Sequence, residues 1–120
     1  MRILAGIVVA MLLPLLVQAD ESRPFRPVNT YSIVARDAET GELGAAVQSH
    51  WFSVGSLCPW AEAGVGAIAT QSFVNVSFGA RGLALLRAGR SAAEVVQMLI
   101  QADEGRDVRQ LAVVDAQGNV

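Results

Sequence analysis

Hydrophobic residues fill the start of the chain without the alternation of a strand. Residues 3–17 are apolar apart from one glycine and Pro14, and they follow a single arginine. Small residues up to Ala19 suit a signal peptidase, so residues 1–19 are predicted to be a removable secretory signal peptide outside the fold. An uncleaved membrane anchor is the alternative, but this run is short for a span of about 20 residues.

The pattern changes after this run. Residues 20–29 carry two prolines and charges of both signs, which is typical of a linker or an excised pro-segment. Residues 30–36 alternate in polarity and are rich in β-branched side chains, so they predict a strand. A turn at 37–42 and a strand of small residues at 43–49 complete a predicted β-hairpin. These small residues suggest that another part of the molecule packs closely on the second strand.

Helical spacing appears in the second half of the chain. Residues 80–88 place leucines on one side and end before Gly89, which favours a helix that stops there. Ser91 and Glu94 form a capping-box pattern, and the apolar residues after them share one helical face, which is interpreted as core rather than as a cofactor groove. The other predicted segments are an aromatic-ended loop at 51–60, a strand at 64–70, an irregular segment at 71–79, a strand at 109–116 and a turn at 116–119.

Val120 would begin a further strand after this last turn. A hairpin without its second arm leaves an open edge and an unfinished core. We therefore expect the sequence to be a fragment of a longer domain, with a short disordered tail as the alternative.

Charge narrows the range of partners. The chain has nine basic and eleven acidic residues, a net charge of −2 that becomes −3 once Arg2 leaves with the signal peptide. All the basic residues are scattered arginines, which predicts neither a nucleic-acid groove nor attachment to an anionic membrane surface. No motif for a nucleotide cofactor is present, so no cofactor is predicted.

Two single residues carry reactive groups. Cys58 is the only cysteine, so it predicts no internal disulfide and is interpreted as a small buried side chain. His50 is the only histidine, and a metal site usually needs more ligands than these two. His50 is a weak candidate for a catalytic triad with a nearby serine; packing beside Trp51 is the ordinary interpretation.

Other polar groups offer a different chemistry. Thr30 at the head of a strand is either a cap or a nucleophile whose own α-amine acts as base, provided that processing frees that amine. Gln71, Ser72 and Asn75 follow a glycine-rich strand and could donate hydrogen bonds to an oxyanion. The alternative for these three is a polar loop that satisfies its own backbone.

The chain resembles the prokaryotic family DUF1028, a domain of unknown function. The resemblance runs in one register from Thr30 to the end of the sequence. It is carried by residues 30–37, 41–44, 46–49, 54–55, 59–61, 63–67, 69–72, 82–86 and 109–115.

The resemblance implies an α+β fold similar to N-terminal-nucleophile hydrolases, with two stacked sheets between helix layers (αββα). Members are typically about twice as long as the mature part of this chain, so residues 30–120 would be the N-terminal part of one such domain. By position, Thr30 corresponds to the nucleophile of the fold's enzymes. Ser32 is a weaker candidate, because a serine inside a strand would need a separate base.

This sequence departs from the family pattern before Thr30. In many members the threonine directly follows the initiator methionine, whereas here cleavage after Ala19 would leave ten residues on its nitrogen. A second cut at Asn29-Thr30 would be required, because an amide nitrogen is not a base.

Two functional hypotheses follow. The first is a periplasmic or secreted bacterial hydrolase acting on an amide bond of a small molecule or peptide. The second is a non-catalytic binding module for such ligands on the same fold. In that case the aromatic side chains Trp51, Phe52, Trp60, Phe73 and Phe78 would shape an apolar pocket or a contact within a homo-oligomer.

Overall fold

The computed structural model describes residues 29–120. The predicted signal peptide (1–19) and nearly all of the predicted linker (20–29) lie outside the described residues. Within the described part, no helix is both long and apolar enough to cross a membrane.

The first two strands form the predicted hairpin. Strand β1 (Tyr31–Arg36) pairs antiparallel with β2 (Leu43–Gln48), so Tyr31 lies opposite Gln48. In the connecting turn, the Asp37 carboxylate accepts hydrogen bonds from the backbone of Glu39 and Thr40 at 2.8 and 2.7 Å. Gly41 supplies the positive φ of 75° that the turn requires.

A second antiparallel sheet has the order β3-β4-β5. It consists of β3 (Pro59–Glu62), β4 (Gly66–Ser72) and β5 (Arg109–Asp115). The prediction of a loop over 51–60 is wrong at its end, because β3 begins at Pro59. The sequence of β3 shows neither clear alternation nor β-branched residues, so pairing with β4 defines it. The predicted end of the strand at 64–70 is also wrong, since Gln71 and Ser72 belong to β4.

Two helices follow β4. Helix α1 (Ser77–Arg87) begins earlier than predicted, because Asn75 accepts hydrogen bonds from the Ser77 backbone and side chain at 3.1 and 2.8 Å. It ends before Gly89, whose φ of 84° confirms the predicted stop. Helix α2 (Ala92–Gln101) has the predicted capping box between Ser91 and Glu94.

These elements stack in layers. The β1–β2 hairpin packs on one face of the three-stranded sheet, and both helices pack on the other. The main hydrophobic core lies between this sheet and the helices and includes Ile68, Phe78, Val95, Leu99 and Val113. The described part is therefore a mixed α and β structure with two antiparallel sheets, which is compatible with the predicted α+β class. In residues 29–120, no helix covers the outer face of the hairpin, so the described part has three layers.

Candidate functional site

A cavity of about 430 Å³ opens where the start of β1, the loop after β2, the end of β4 and the start of β5 meet. It brings three of the predicted site residues together, Thr30, Gln71 and Ser72. The other polar side chains in its lining are Ser49, Cys58 and Gln110.

Thr30 lies at this cavity because of the hairpin register. It precedes β1, while Ser49 follows β2 directly opposite, and their hydroxyl oxygens are 2.9 Å apart. Ser49 Oγ also accepts a hydrogen bond from the Trp51 backbone N–H at 3.1 Å. Thr30 is exposed, so its hydroxyl is accessible from the cavity while Ser49 fixes its position.

Gln71 lies at the inner wall. It is in β4 opposite Gln110 of β5, on the face of the sheet that looks toward the hairpin. Its side chain is only 4% exposed. The amide Oε1 lies 3.9 Å from Cys58 Sγ, but the amide Nε2 is buried without a hydrogen-bond partner among the described residues. An unpaired buried donor is destabilising, so a hydrogen bond from this N–H group to an acceptor would be favourable.

Cys58 positions this amide. It is 1% exposed, and burial raises the pKa of its thiol. The thiol is therefore neutral and can donate to Gln71 Oε1, which in the described part of the chain leaves Nε2 as the unpaired atom of an amide that lines the cavity. The same neutrality makes Cys58 unsuitable as a nucleophile, because the reactive form is the thiolate.

Ser72 holds an unusual backbone conformation at the rim. Its φ of 66° is in the left-handed region, which non-glycine residues adopt rarely. Arg109 opposite it donates to Asp103 at 2.7 Å and to the carbonyl of Phe73. The hydrogen bond from Arg109 holds the pKa of Asp103 below its usual value. This ion pair fixes the corner at which β4 leaves the cavity.

The remaining predicted site residues lie elsewhere. Ser32 is half-buried on β1 opposite Val47 and is not in the cavity lining. Asn75 uses its side-chain oxygen to organise the start of α1. This agrees with the alternative interpretation, in which the polar segment satisfies its own backbone. His50 is exposed and lies against Trp51, with ring centroids 5.4 Å apart.

Sequence reasoning missed several residues of this site. Gln110 could be found only from the pairing of β5 with β4, which periodicity does not give. The apolar part of the lining comes mostly from the loop after β2, whose fold has no short motif. Val54, Leu57 and Val74 were not predicted, whereas Trp51 and Phe52 were among the aromatic side chains expected to shape an apolar pocket.

Charged groups are absent from this cavity's lining in the described part of the chain. Across residues 29–120, no three His, Cys, Asp or Glu side chains cluster as metal ligands would. The arrangement therefore offers hydroxyl and amide groups beside an apolar surface.

The chain belongs to the family of unknown function DUF1028, whose model matches residues 30–120. Its fold is similar to the crystal structure of protein SPO2555 from Silicibacter pomeroyi, assigned to the same family, with a TM-score of 0.72 and 34% sequence identity. The match covers 75% of this chain and 42% of the Silicibacter chain, so the chain spans less than half of that protein. No protein of curated function matches the sequence significantly.

Proposed function

We propose that this chain is part of an exported amide hydrolase of the N-terminal-nucleophile type, with Thr30 as the nucleophile. In this proposal the complete domain has the four-layer αββα arrangement. The signal peptide directs it to the periplasm or the medium, and a second cut at Asn29-Thr30 frees the threonine amine. The observation that carries the proposal is the presence of Thr30, Gln71 and Ser72 on one cavity, although more than 40 residues separate the first from the others.

The chemistry requires a free α-amine. Its pKa in peptides is about 7.7–8.0, so a large share is neutral near pH 8 and can accept the Thr30 hydroxyl proton. The oxygen would attack the amide carbonyl carbon, and the tetrahedral intermediate would collapse as the leaving amine takes that proton. Water would then hydrolyse the Thr30 ester, releasing a carboxylic acid and regenerating the hydroxyl.

The surrounding polar groups have defined parts in this scheme. Ser49, 2.9 Å away, orients the Thr30 hydroxyl. The buried Gln71 Nε2 has no other acceptor among residues 29–120, so it is the first candidate for contact with the substrate oxygen. Neither residue replaces the amine as base, because a hydroxyl and an amide are not basic near neutral pH.

A strained β-lactone tests this proposal without knowledge of the substrate. A nucleophilic threonine opens the lactone and keeps the whole reagent as an ester, so the protein gains the reagent's mass. We expect exported full-length protein to be labelled at Thr30, Thr30→Ser to be labelled there as well, and Thr30→Ala to lose the label. Thr40→Ala, in the exposed hairpin turn, is the matched control and should be labelled at Thr30 like the wild type.

The pH dependence of labelling has a definite sign. Protonation removes the base, so the rate should fall as the pH decreases through the α-amine pKa of about 7.7–8.0. Equal labelling of Thr30→Ala and wild type, with no adduct at residue 30, would refute the assignment.

One observation favours a second candidate function, a binding module without turnover. Trp51 and Phe52 line the cavity yet are 70% and 97% exposed, as expected of side chains that a ligand or a second subunit covers. Saturable thermal stabilisation by a ligand, with no lactone adduct at Thr30, would favour this function over catalysis.

A further inference from the structure

One buried polar group at the cavity, the side-chain amide of Gln71, has an atom without a hydrogen-bond partner in the described part of the protein. Gln71 lines the cavity and is only 4% exposed, and its Nε2 has no hydrogen-bond partner among residues 29–120. Its Oε1 is within reach of the neutral Cys58 thiol. The unused hydrogen-bonding group of this amide is therefore its NH2, whose two N–H donors select an acceptor such as a carbonyl oxygen.

Burial of the Gln71 amide strengthens its preference for a ligand that carries a hydrogen-bond acceptor. An amide donor without an acceptor in a desolvated wall loses its hydrogen bond to water, and a ligand oxygen restores one. Thr70, the preceding residue, also has a buried unpartnered oxygen, but its side chain is on the helix-facing side of β4 with Ile68. Only Gln71 of these two lines the cavity.

The rest of the lining sets the charge of the ligand. It includes no acidic or basic side chain in the part of the chain described here, and the nearby Arg109 is paired with Asp103. A charged ligand group would lose water without gaining an ionic partner, so a neutral group is favoured.

The size and the apolar walls define the remainder of the ligand. A volume of about 430 Å³ is that of a small-molecule site. Val54, Leu57 and Val74 are apolar lining residues, and Trp51 and Phe52, which are also in the lining, have exposed aromatic side chains. Such a surface fits an aliphatic or aromatic group.

We propose that this cavity binds an uncharged acyl compound, whose carbonyl oxygen accepts a hydrogen bond from Gln71 Nε2 and whose apolar group packs on Val54, Leu57 and Val74. This deepens the proposed function and rests on it for the reactive end at Thr30. Binding itself needs no turnover, so the two can fail separately.

Three probes with one phenylpropyl skeleton test the ligand class. They are N-methyl-3-phenylpropanamide, 3-phenylpropanoate and 3-phenylpropylamine, which are neutral, anionic and cationic at pH 7. Calorimetry on exported full-length protein carrying Thr30→Ala excludes hydrolysis. We expect saturable binding of the amide, with the anion and the cation about tenfold weaker or worse, a difference of about 1.4 kcal/mol.

Two isosteric variants then test the assignment to Gln71. Gln71→Met removes the N–H donor and keeps the volume, so it should bind the amide about tenfold more weakly while its melting temperature stays equal or rises. Thr70→Val, the matched control, should bind the amide like the parent protein.

The outcomes are distinct. Anion binding as tight as amide binding, no saturable binding of the amide, or an unchanged amide affinity in folded Gln71→Met would overturn the inference. If Gln71→Met fails to fold, the comparison of the three probes still decides. Tight amide binding without lactone labelling of the unmutated Thr30 would keep this inference and reject the hydrolase.

Discussion

Asp115 ends β5 and organises the turn that follows. Its carboxylate accepts hydrogen bonds from the Asn119 backbone at 2.9 Å, from the Gln117 backbone at 3.0 Å and from the Asn119 side chain. It also accepts from Ala92 N at the start of α2, at 3.4 Å. Burial raises the pKa of Asp115, but these hydrogen bonds outweigh it and hold the pKa below its ordinary value.

Replacement of Asp115 should therefore destabilise the fold in a pH-dependent way. We expect Asp115→Asn to lose about 1–3 kcal/mol of unfolding free energy at pH 7. The asparagine NH2 cannot accept hydrogen bonds, so some of the N–H groups that now donate to the carboxylate would lose their acceptor in a buried site. A carboxyl with a depressed folded pKa stabilises above its unfolded pKa of about 3.9 and loses this effect as the pH falls further. Urea unfolding should thus show the difference shrinking below about pH 4.

Asp107→Asn is the control for this series, because Asp107 is exposed and no hydrogen bond to its side chain is present in the described part. Its unfolding free energy should stay within about 0.5 kcal/mol of wild type. Equal stability of Asp115→Asn and wild type at pH 7 would show that the turn does not depend on this carboxylate.

Thr70 offers a test of the opposite sign, because its replacement is expected to stabilise the fold. Its side-chain oxygen is buried without a partner among residues 29–120, so the hydroxyl has lost water and gained nothing there. Thr70→Val has nearly the same shape, and we expect it to raise the unfolding free energy by about 1 kcal/mol. A loss of stability in urea unfolding would mean that the hydroxyl is satisfied in solution.

At the scale of elements, helix α1 approaches the sheet through glycines. A Cβ at Gly79 would overlap the indole ring of Trp60 on β3, and a Cβ at Gly82 would overlap the Ile68 side chain on β4. The Trp60 ring donates to the Leu57 carbonyl at 3.2 Å, and Leu57 lines the cavity. The position of α1 is thus linked to one wall of the site.

Gly79→Ala should show this dependence. Alanine gains about 1 kcal/mol of helix propensity, but the rigid ring of Trp60 must move, and overpacking typically costs about 1–3 kcal/mol. We expect a net loss of unfolding free energy and altered tryptophan fluorescence. Gly44→Ala, whose added Cβ meets nothing within 4 Å, is the matched control and should be neutral. A variant as stable as wild type would mean that α1 shifts freely on the sheet.

The predictable elements are those with local signals. The turn pattern at 37–42 indicated the hairpin, Ser91 and Glu94 indicated the start of α2, and Gly89 indicated the end of α1. Strand β3 was missed because it exists through pairing with β4 rather than through its own residues. The start of α1 was missed because the Asn75 side chain, rather than a pattern of apolar residues, organises it.

The candidate site was predictable only in part, for a similar reason. Thr30, Gln71 and Ser72 were selected as donors or nucleophiles by their chemistry and by resemblance. Their convergence depends on stacking of the hairpin against the second sheet, which no local pattern encodes. The unpaired state of Gln71 Nε2 is also a property of the tertiary structure.

In residues 29–120 taken as a whole, the outer face of the hairpin is apolar and exposed. Tyr31 and Ile33 are 63% and 60% exposed on it. In the four-layer fold that we propose, further helices would cover this face. The chain spans 42% of the Silicibacter structure, so the activity proposed here belongs to the complete protein.

The proposed activity depends on export and processing, because Thr30 can act with its own amine as base only after its nitrogen leaves the peptide bond with Asn29. Intact mass and N-terminal sequencing of full-length protein recovered from outside the cytoplasm measure this directly. We predict a mature chain that begins at Thr30 and is labelled there by the lactone. A chain that begins at Asp20 throughout, or protein that remains cytoplasmic and unprocessed, would contradict the account.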